Sequence, residues 1–213
     1  VLQSWGEEIL KEIEEVSMDL CKQYLNIVQK ICPNAVITVD RFHVTKILNE
    51  EVNQARIEQK KTAKSLNVKA REKLFSTLKG TKYVLLKREK DLNSRQKEKL
   101  SNLKKASIKI KVIHELKEEF MEIFEKSKNL GEGTLKLMDW LVKAQGFLPK
   151  TVRTIINWFG EIVGYFERRT TNGMVEGINN RLKVLKRCGF GFRNFDNFEK
   201  RALLYWHLPD SLA

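Results

Sequence analysis

Cysteine is scarce in this chain, and acidic residues are outnumbered. The three cysteines among 213 residues, Cys21, Cys32 and Cys188, are odd in number and widely spaced. That excludes a disulfide framework and fits a reducing compartment. Cys21, Cys32 and His43 also lack the spacing of a structural zinc site. No apolar run approaches the roughly 20 residues of a membrane span. No signal peptide is visible, so a cytoplasmic protein with no membrane partner is expected. Asp and Glu number 27 against 40 Lys and Arg, a net charge of +13. Such a shortage of acid points to a polyanionic partner, of which nucleic acid is the commonest. The plainer reading is a solvated basic surface.

What is present can build a core. Hydrophobic residues make up 42% of the chain, close to the globular average. The first residue is Val, and "VLQSWGEEILKEIEEV" reads as the interior of a domain, so a piece of something longer is expected.

Three regions separate by pattern. In the first, Val16 to Met18 reads as a short strand ending in Asp19. Leu20, Tyr24, Ile27, Val28 and Ile31 then recur at helical spacing, with Asp19 placed to cap that helix. Pro33-Asn34 breaks it. "AVITV" follows as a β-branched, buried strand ending in Asp40. Strand, helix and strand on so short a connection imply a parallel βαβ unit. Two acids then stand at the carboxyl ends of neighbouring strands, the edge where ligands gather in open α/β sheets.

The second region, from about Phe42 to Arg169, is helical and charged. "EKLSNLKKASIKIKVIHELKEEFMEIFEK" spaces Leu100, Leu103, Ile110, Ile113, Leu116, Phe120, Ile123 and Phe124 as one amphipathic helix, with Asn93 or Ser94 as its cap. "LNEEVNQARIEQKKTAKSL" and "TLKLMDWLVKAQGFL" read alike. Gly131 and Gly133 mark a turn and Pro149 a boundary. Trp140 and Trp158 read as core. The region has the character of an all-α insertion.

In the third region, Thr170, Thr171 and Asn172 offer a helix start, Gly173 to about Lys186 the helix, and Gly189 and Gly191 its end. A short helix in "EKRALLYWHL" closes the chain before Pro209. Glu176 is a lone acid among bases here, and on a helix it shares a face with Asn179 or Asn180 and Lys183, with Arg187 one turn further. By itself it would complement the helix dipole. Together with Asp19 and Asp40 it could instead hold Mg²⁺, which prefers carboxylate oxygens. Two such ions serve phosphodiester chemistry, and a basic surround would hold the nucleic-acid backbone.

"NAVITVDRFHVTKILNEEVNQAR" and "TTNGMVEGINNRLKVLKRCGFGFRNFDNF" resemble two motifs of bacterial insertion-sequence transposases of the ISL-three type. These are DDE enzymes with a ribonuclease-H-like core, and "VSMDLCKQY" matches the family segment before the first motif. The resemblance spans nearly the whole chain. It implies a mainly α fold with a small α/β part: a partial ribonuclease-H-like core over 1–43, an all-α insertion over 44–169, and a core helix with a basic tail over 170–213. Glu176 would be the last acid of the triad and Asp19 the second, the two binding Mg²⁺ or Mn²⁺. Asp40 is a rival for the second place, or a neighbouring acid. His43 could orient a phosphate or a carboxylate, or be a satisfied core histidine. Asn172 and Asn179 would shape the approach to Glu176. Lys183, Lys186, Arg187 and Arg193 would contact phosphates, while Phe190, Phe192 and Phe195 read as core rather than base-stacking groups.

The family's first catalytic Asp lies upstream, so this chain resembles the C-terminal part of a transposase and is expected to be inactive alone. Its partner would be double-stranded DNA, as transposon ends and target, in a bacterial, nucleoid-associated setting. A homo-oligomer is compatible with the family. The alternative is a non-catalytic basic helical module for DNA binding or assembly, resting on the charge and the amphipathic middle region.

Overall fold

The structure, a computed structural model, describes residues 2–65, 67–169 and 173–207. The chain divides into two compact units, residues 1–170 and 171–213.

The first unit opens with a 3-10 turn, helix α1 (Glu7–Glu12) and strand β1 (Glu15–Met18). Helix α2 (Lys22–Ile31) leads to strand β2 (Val36–Val39), and the strands pair in parallel with Met18 opposite Val39. The βαβ unit is therefore present, as a two-stranded sheet. Asp19 does not cap α2. The Cys21 amide bonds the Asp19 carbonyl at 2.7 Å, and Cys21 takes the N-cap position with no side-chain bond to the helix. The expected apolar stripe is also rotated. Leu25 packs against the core, whereas Tyr24 and Ile27 are exposed.

Helix α3 (Arg41–Ala63) follows β2 directly and is the axis of the helical body, burying Val44, Leu48, Val52 and Ala55. Around it come α4 (Val68–Leu78), α5 (Lys82–Leu86), α6 (Ser94–Ala106) and α7 (Ile108–Lys126). Next are α8 (Leu130–Ala144), α9 (Pro149–Asn157), α10 (Phe159–Val163) and α11 (Tyr165–Arg168). Asn93 caps α6 in a reciprocal capping box with Gln96, which satisfies two backbone donors at once. The single amphipathic helix expected over residues 98–126 is two helices. Ser107 adopts extended backbone, and its hydroxyl accepts from the Ile110 amide to start α7. Hydrophobic periodicity survived the break because both helices face one core.

Gly131 and Gly133 do not form a turn; both lie in the first part of α8, which Asn129 caps. Gly133 is there for space. A Cβ on it would stand 2.4 Å from the Phe166 ring. Pro149 occupies the first turn of α9, where its missing amide costs nothing. The Glu51 carboxylate on α3 accepts from the amides of Lys150 and Thr151 and from the Thr151 hydroxyl at 2.8–2.9 Å. It thereby caps α9 from another helix, where negative charge is favoured.

The core runs from Met18 and Val39 through α3 to α7 and α8, with Trp140 fully buried and Trp158 nearly so. Phe120 packs on both Phe124 and Trp140, and the Trp140 indole donates to the Leu116 carbonyl at 2.8 Å. One buried patch is charged. The Lys117 ammonium donates to the carbonyls of Leu85 and Lys87 at the end of α5 and lies 2.7 Å from Glu118 Oε1. A cation at a helix carboxyl end meets the negative pole of that helix. Burial pushes Lys117 down nonetheless. Burial opposes the charge of Glu118, but Lys117 and Arg88 outweigh it and hold the carboxyl below its ordinary range.

The second unit contains α12 (Gly173–Cys188) and α13 (Phe195–His207). The expected end of α12 at Gly189 to Gly191 is present, and α13 begins earlier than the expected short helix. Thr170, Thr171, Asn172 and Pro209 lie outside the described residues. Among the described residues no helix is long and apolar enough to cross a membrane.

Candidate active site and nucleic-acid interface

Parallel pairing places the two strand ends together. Because Met18 stands opposite Val39, the next residues, Asp19 and Asp40, leave the sheet side by side. The Asp40 amide still reaches the Met18 carbonyl at 3.0 Å. The two acids then diverge in role. Asp40 is 6% exposed, and its carboxylate accepts from the Phe42 amide at 2.9 Å, capping α3. Asp19 has a side chain 58% exposed, and its Oδ1 lies 2.7 Å from His43 Nε2. The α3 N-terminus puts His43 there, since its amide bonds the Asp40 carbonyl at 3.1 Å. His43 is half-exposed, not a core histidine, and it presents its ring to a carboxylate.

Phe42 stands edge-on to His43 with ring centroids 5.7 Å apart, and it is 52% exposed. It borders a cleft of about 310 Å³ that includes Lys46, Asn49, Asn53 and Lys82. Sequence reading did not single out Lys46 and Lys82. Their signal was weak, because basic residues are spread along the whole middle region and the fold alone selects those that line the cleft beside Phe42. Among the described residues no three His, Cys, Asp or Glu side chains form a group that could hold a metal ion.

The remaining candidates lie in the second unit. Helix α12 carries Glu176, Asn179, Lys183, Lys186 and Arg187 in the helical register expected of them. Asn179, Lys183, Lys186 and Arg187 are exposed, as is Arg193 in the turn that follows. Asn172 lies outside the described residues. The three Phe residues expected in the core divide. Phe192 packs on Phe198 and is partly buried, but Phe190 is fully exposed and Phe195 largely so. Phe190 lies in the turn after α12 and Phe195 opens α13.

An acid at the end of a parallel strand, oriented by a histidine and joined to a helical body, defines a small α/β site carried on a mainly helical protein. A transposase family of the DDE, ISL3 type matches residues 1–202. The transposase for insertion sequence element IS1557 of Mycobacterium tuberculosis is 28% identical over 216 residues, covering 89% of this chain and 47% of that protein. The transposase for insertion sequence element IS1001 of Bordetella parapertussis is 23% identical over 193 residues, covering 88% and 46%. A shorter match, 38% over 61 residues, is to a Lactococcus lactis protein named ATP-dependent protease; at 27% of this chain it is too short to carry an assignment. No solved structure matches. The chain belongs to the ISL3-type transposase family, and it spans about half the length of the insertion-sequence relatives it matches.

Proposed function

We propose that the chain is the C-terminal part of a DDE transposase whose intact form cuts transposon ends and joins the freed 3′-hydroxyl to target DNA. In this reading residues 1–43 belong to a ribonuclease-H-like core, 44–169 are an α-helical insertion, and 170–213 carry the last core helix and a basic tail. Asp19 and Glu176 are the second and third acids of the triad. The observation that carries it is the contrast between the two strand-end acids. Asp40 is committed to capping α3, while Asp19 is exposed to solvent and held by His43.

The family implies a divalent cation, and the donor chemistry fits one. Asp19 offers a solvent-exposed, hard oxygen ligand of the kind Mg²⁺ and Mn²⁺ prefer. Asp19 and Glu176 would hold it. When bound, such an ion activates the attacking oxygen and neutralises charge on the leaving one. His43 Nε2 lies 2.7 Å from Asp19 Oδ1, where it would fix the orientation of that carboxylate, as outer-shell partners of metal ligands do. Lys183, Lys186, Arg187 and Arg193 neutralise backbone phosphates of double-stranded DNA.

The test is a cell-based transposition assay with the full-length reading frame. Asp19→Ala and Glu176→Ala reduce transposition to background while DNA binding and folding persist. His43→Ala lowers it by about 10- to 100-fold. Asp40→Asn, which keeps an acceptor for the α3 cap, retains activity. Undiminished transposition in either of the first two variants would overturn the assignment.

A further inference from the structure

The turn between α12 and α13 holds an aromatic ring out into solvent. Phe190 has a relative exposure of 101%. Its backbone lies in the left-handed region, with φ 52°, which bulky residues seldom adopt. The turn is closed without help from the ring. The amides of Gly189, Phe190 and Gly191 bond the carbonyls of Leu185, Arg187 and Lys186 at 3.0–3.1 Å. Gly191 has φ 92°. A Cβ at Gly189 would stand 2.5 Å from the Phe192 ring, which itself packs on Phe198. Glycine or asparagine would take position 190 with less strain, so the ring is there for something outside the turn.

The surroundings of the ring name that partner. Lys186 and Arg187 precede it, Arg193 follows it, and all three are exposed. Along the chain the exposed ring is therefore flanked by exposed cations, with a second exposed ring, Phe195, five residues on. Exposed aromatics among Lys and Arg are the combination that stacks on unpaired bases or wedges between base steps. We propose that Phe190 is a base-stacking wedge, which the α12–α13 turn projects from a basic surface to contact the bases of bound DNA. The inference rests on the DNA-binding reading above and goes beyond it by assigning a contact to bases rather than to phosphates.

The experiment measures binding of the 213-residue chain to a duplex carrying 2-aminopurine, across a series of salt concentrations. With the parent chain, 2-aminopurine emission rises as bases unstack. Phe190→Ala abolishes that rise and weakens affinity about ten-fold, while the slope of log affinity against log salt stays the same, because no phosphate contact is lost. Phe190→Trp keeps the affinity. The melting midpoint and oligomeric state of Phe190→Ala match the parent, since the turn is held by backbone bonds. If the parent binds DNA with steep salt dependence but Phe190→Ala binds and unstacks equally well, stacking is refuted and the DNA-binding reading stands. A changed midpoint or oligomeric state in Phe190→Ala assigns the ring to protein packing and also refutes the proposal. If the parent shows no salt-dependent binding, the DNA-binding reading fails, and this inference with it.

Discussion

Helices α2 and α7 belong to the same unit, and both are amphipathic. In α7, eight of nineteen residues are buried; in α2, none of ten is. Tyr24 and Ile27 on α2 are 59% and 51% exposed, while Phe120 and Ile113 on α7 are at 1% or below. Periodicity therefore states that a helix owns an apolar face and is silent about what covers it. The helical body supplies its own cover, since α3, α6, α7 and α8 bury one another's faces. The βαβ segment adds mainly Met18 and Val39 to that core, and Gly164, just after α10, lies against Thr38 of β2. The buried core thus resides mainly in the helices, and the βαβ segment sets two acids, Asp19 and Asp40, at its strand ends.

The largest effect expected from this division is in the helical core. Trp140→Ala removes a fully buried ring packed at a tilt against Phe120 and an indole bonded to the Leu116 carbonyl. It lowers unfolding free energy by about 3–5 kcal/mol. Tyr24→Ala, on the exposed face of α2, changes it by no more than about 0.5 kcal/mol. Urea denaturation followed by circular dichroism measures both. Comparable losses in the two variants would erase the distinction between the regions.

A second effect is pH-dependent and specific to the helical body. His114 is fully buried, and neither ring nitrogen has a hydrogen-bond partner. Burial, reinforced by Lys117 and Lys104, lowers its pKa to about 4 against the pull of Glu118 and Glu89. The two carboxylates stand 4.0 and 3.8 Å from the ring, beyond hydrogen-bonding reach. The unfolded chain binds a proton on this side chain below its ordinary pKa of 6.5, and the folded chain resists until about 4. Stability is therefore fully present above pH 6.5 and falls as pH drops toward 4, by about 3 kcal/mol in all. His114→Leu removes this contribution, so its loss of stability over that window is smaller than the parent's. Parallel pH–stability curves for the two chains would contradict it.

How much of this was legible follows the same division. The helices and the buried Trp140 and Trp158 were readable because their signal is local: spacing, caps and turn residues. The break at Ser107 was hidden because two helices facing one core keep a single apolar rhythm. Gly133 looked like a turn because sequence cannot show that Phe166 needs the space. At the strand ends, the motif marked Asp19, Asp40 and His43, but their separate roles depended on geometry. Only the fold reveals that Asp40 caps the α3 N-terminus while Asp19 lies against His43.

The smallest expected effect is the most discriminating for the site. The Asp19–His43 contact is short, but both partners are open to solvent, 58% and 31% exposed. Water screens such pairs, and ordering two side chains offsets part of the gain, so exposed ion pairs contribute about 0–1 kcal/mol. Asp19→Ala therefore leaves the unfolding free energy within about 1 kcal/mol of the parent, as does His43→Ala. In a double-mutant cycle their coupling is of the same size. A loss of several kcal/mol from Asp19→Ala would make this acid a structural element, and its proposed metal-binding role would lose its support. A stable protein that has lost transposition separates the two roles, because a group retained for chemistry can be removed without disturbing a core it never entered.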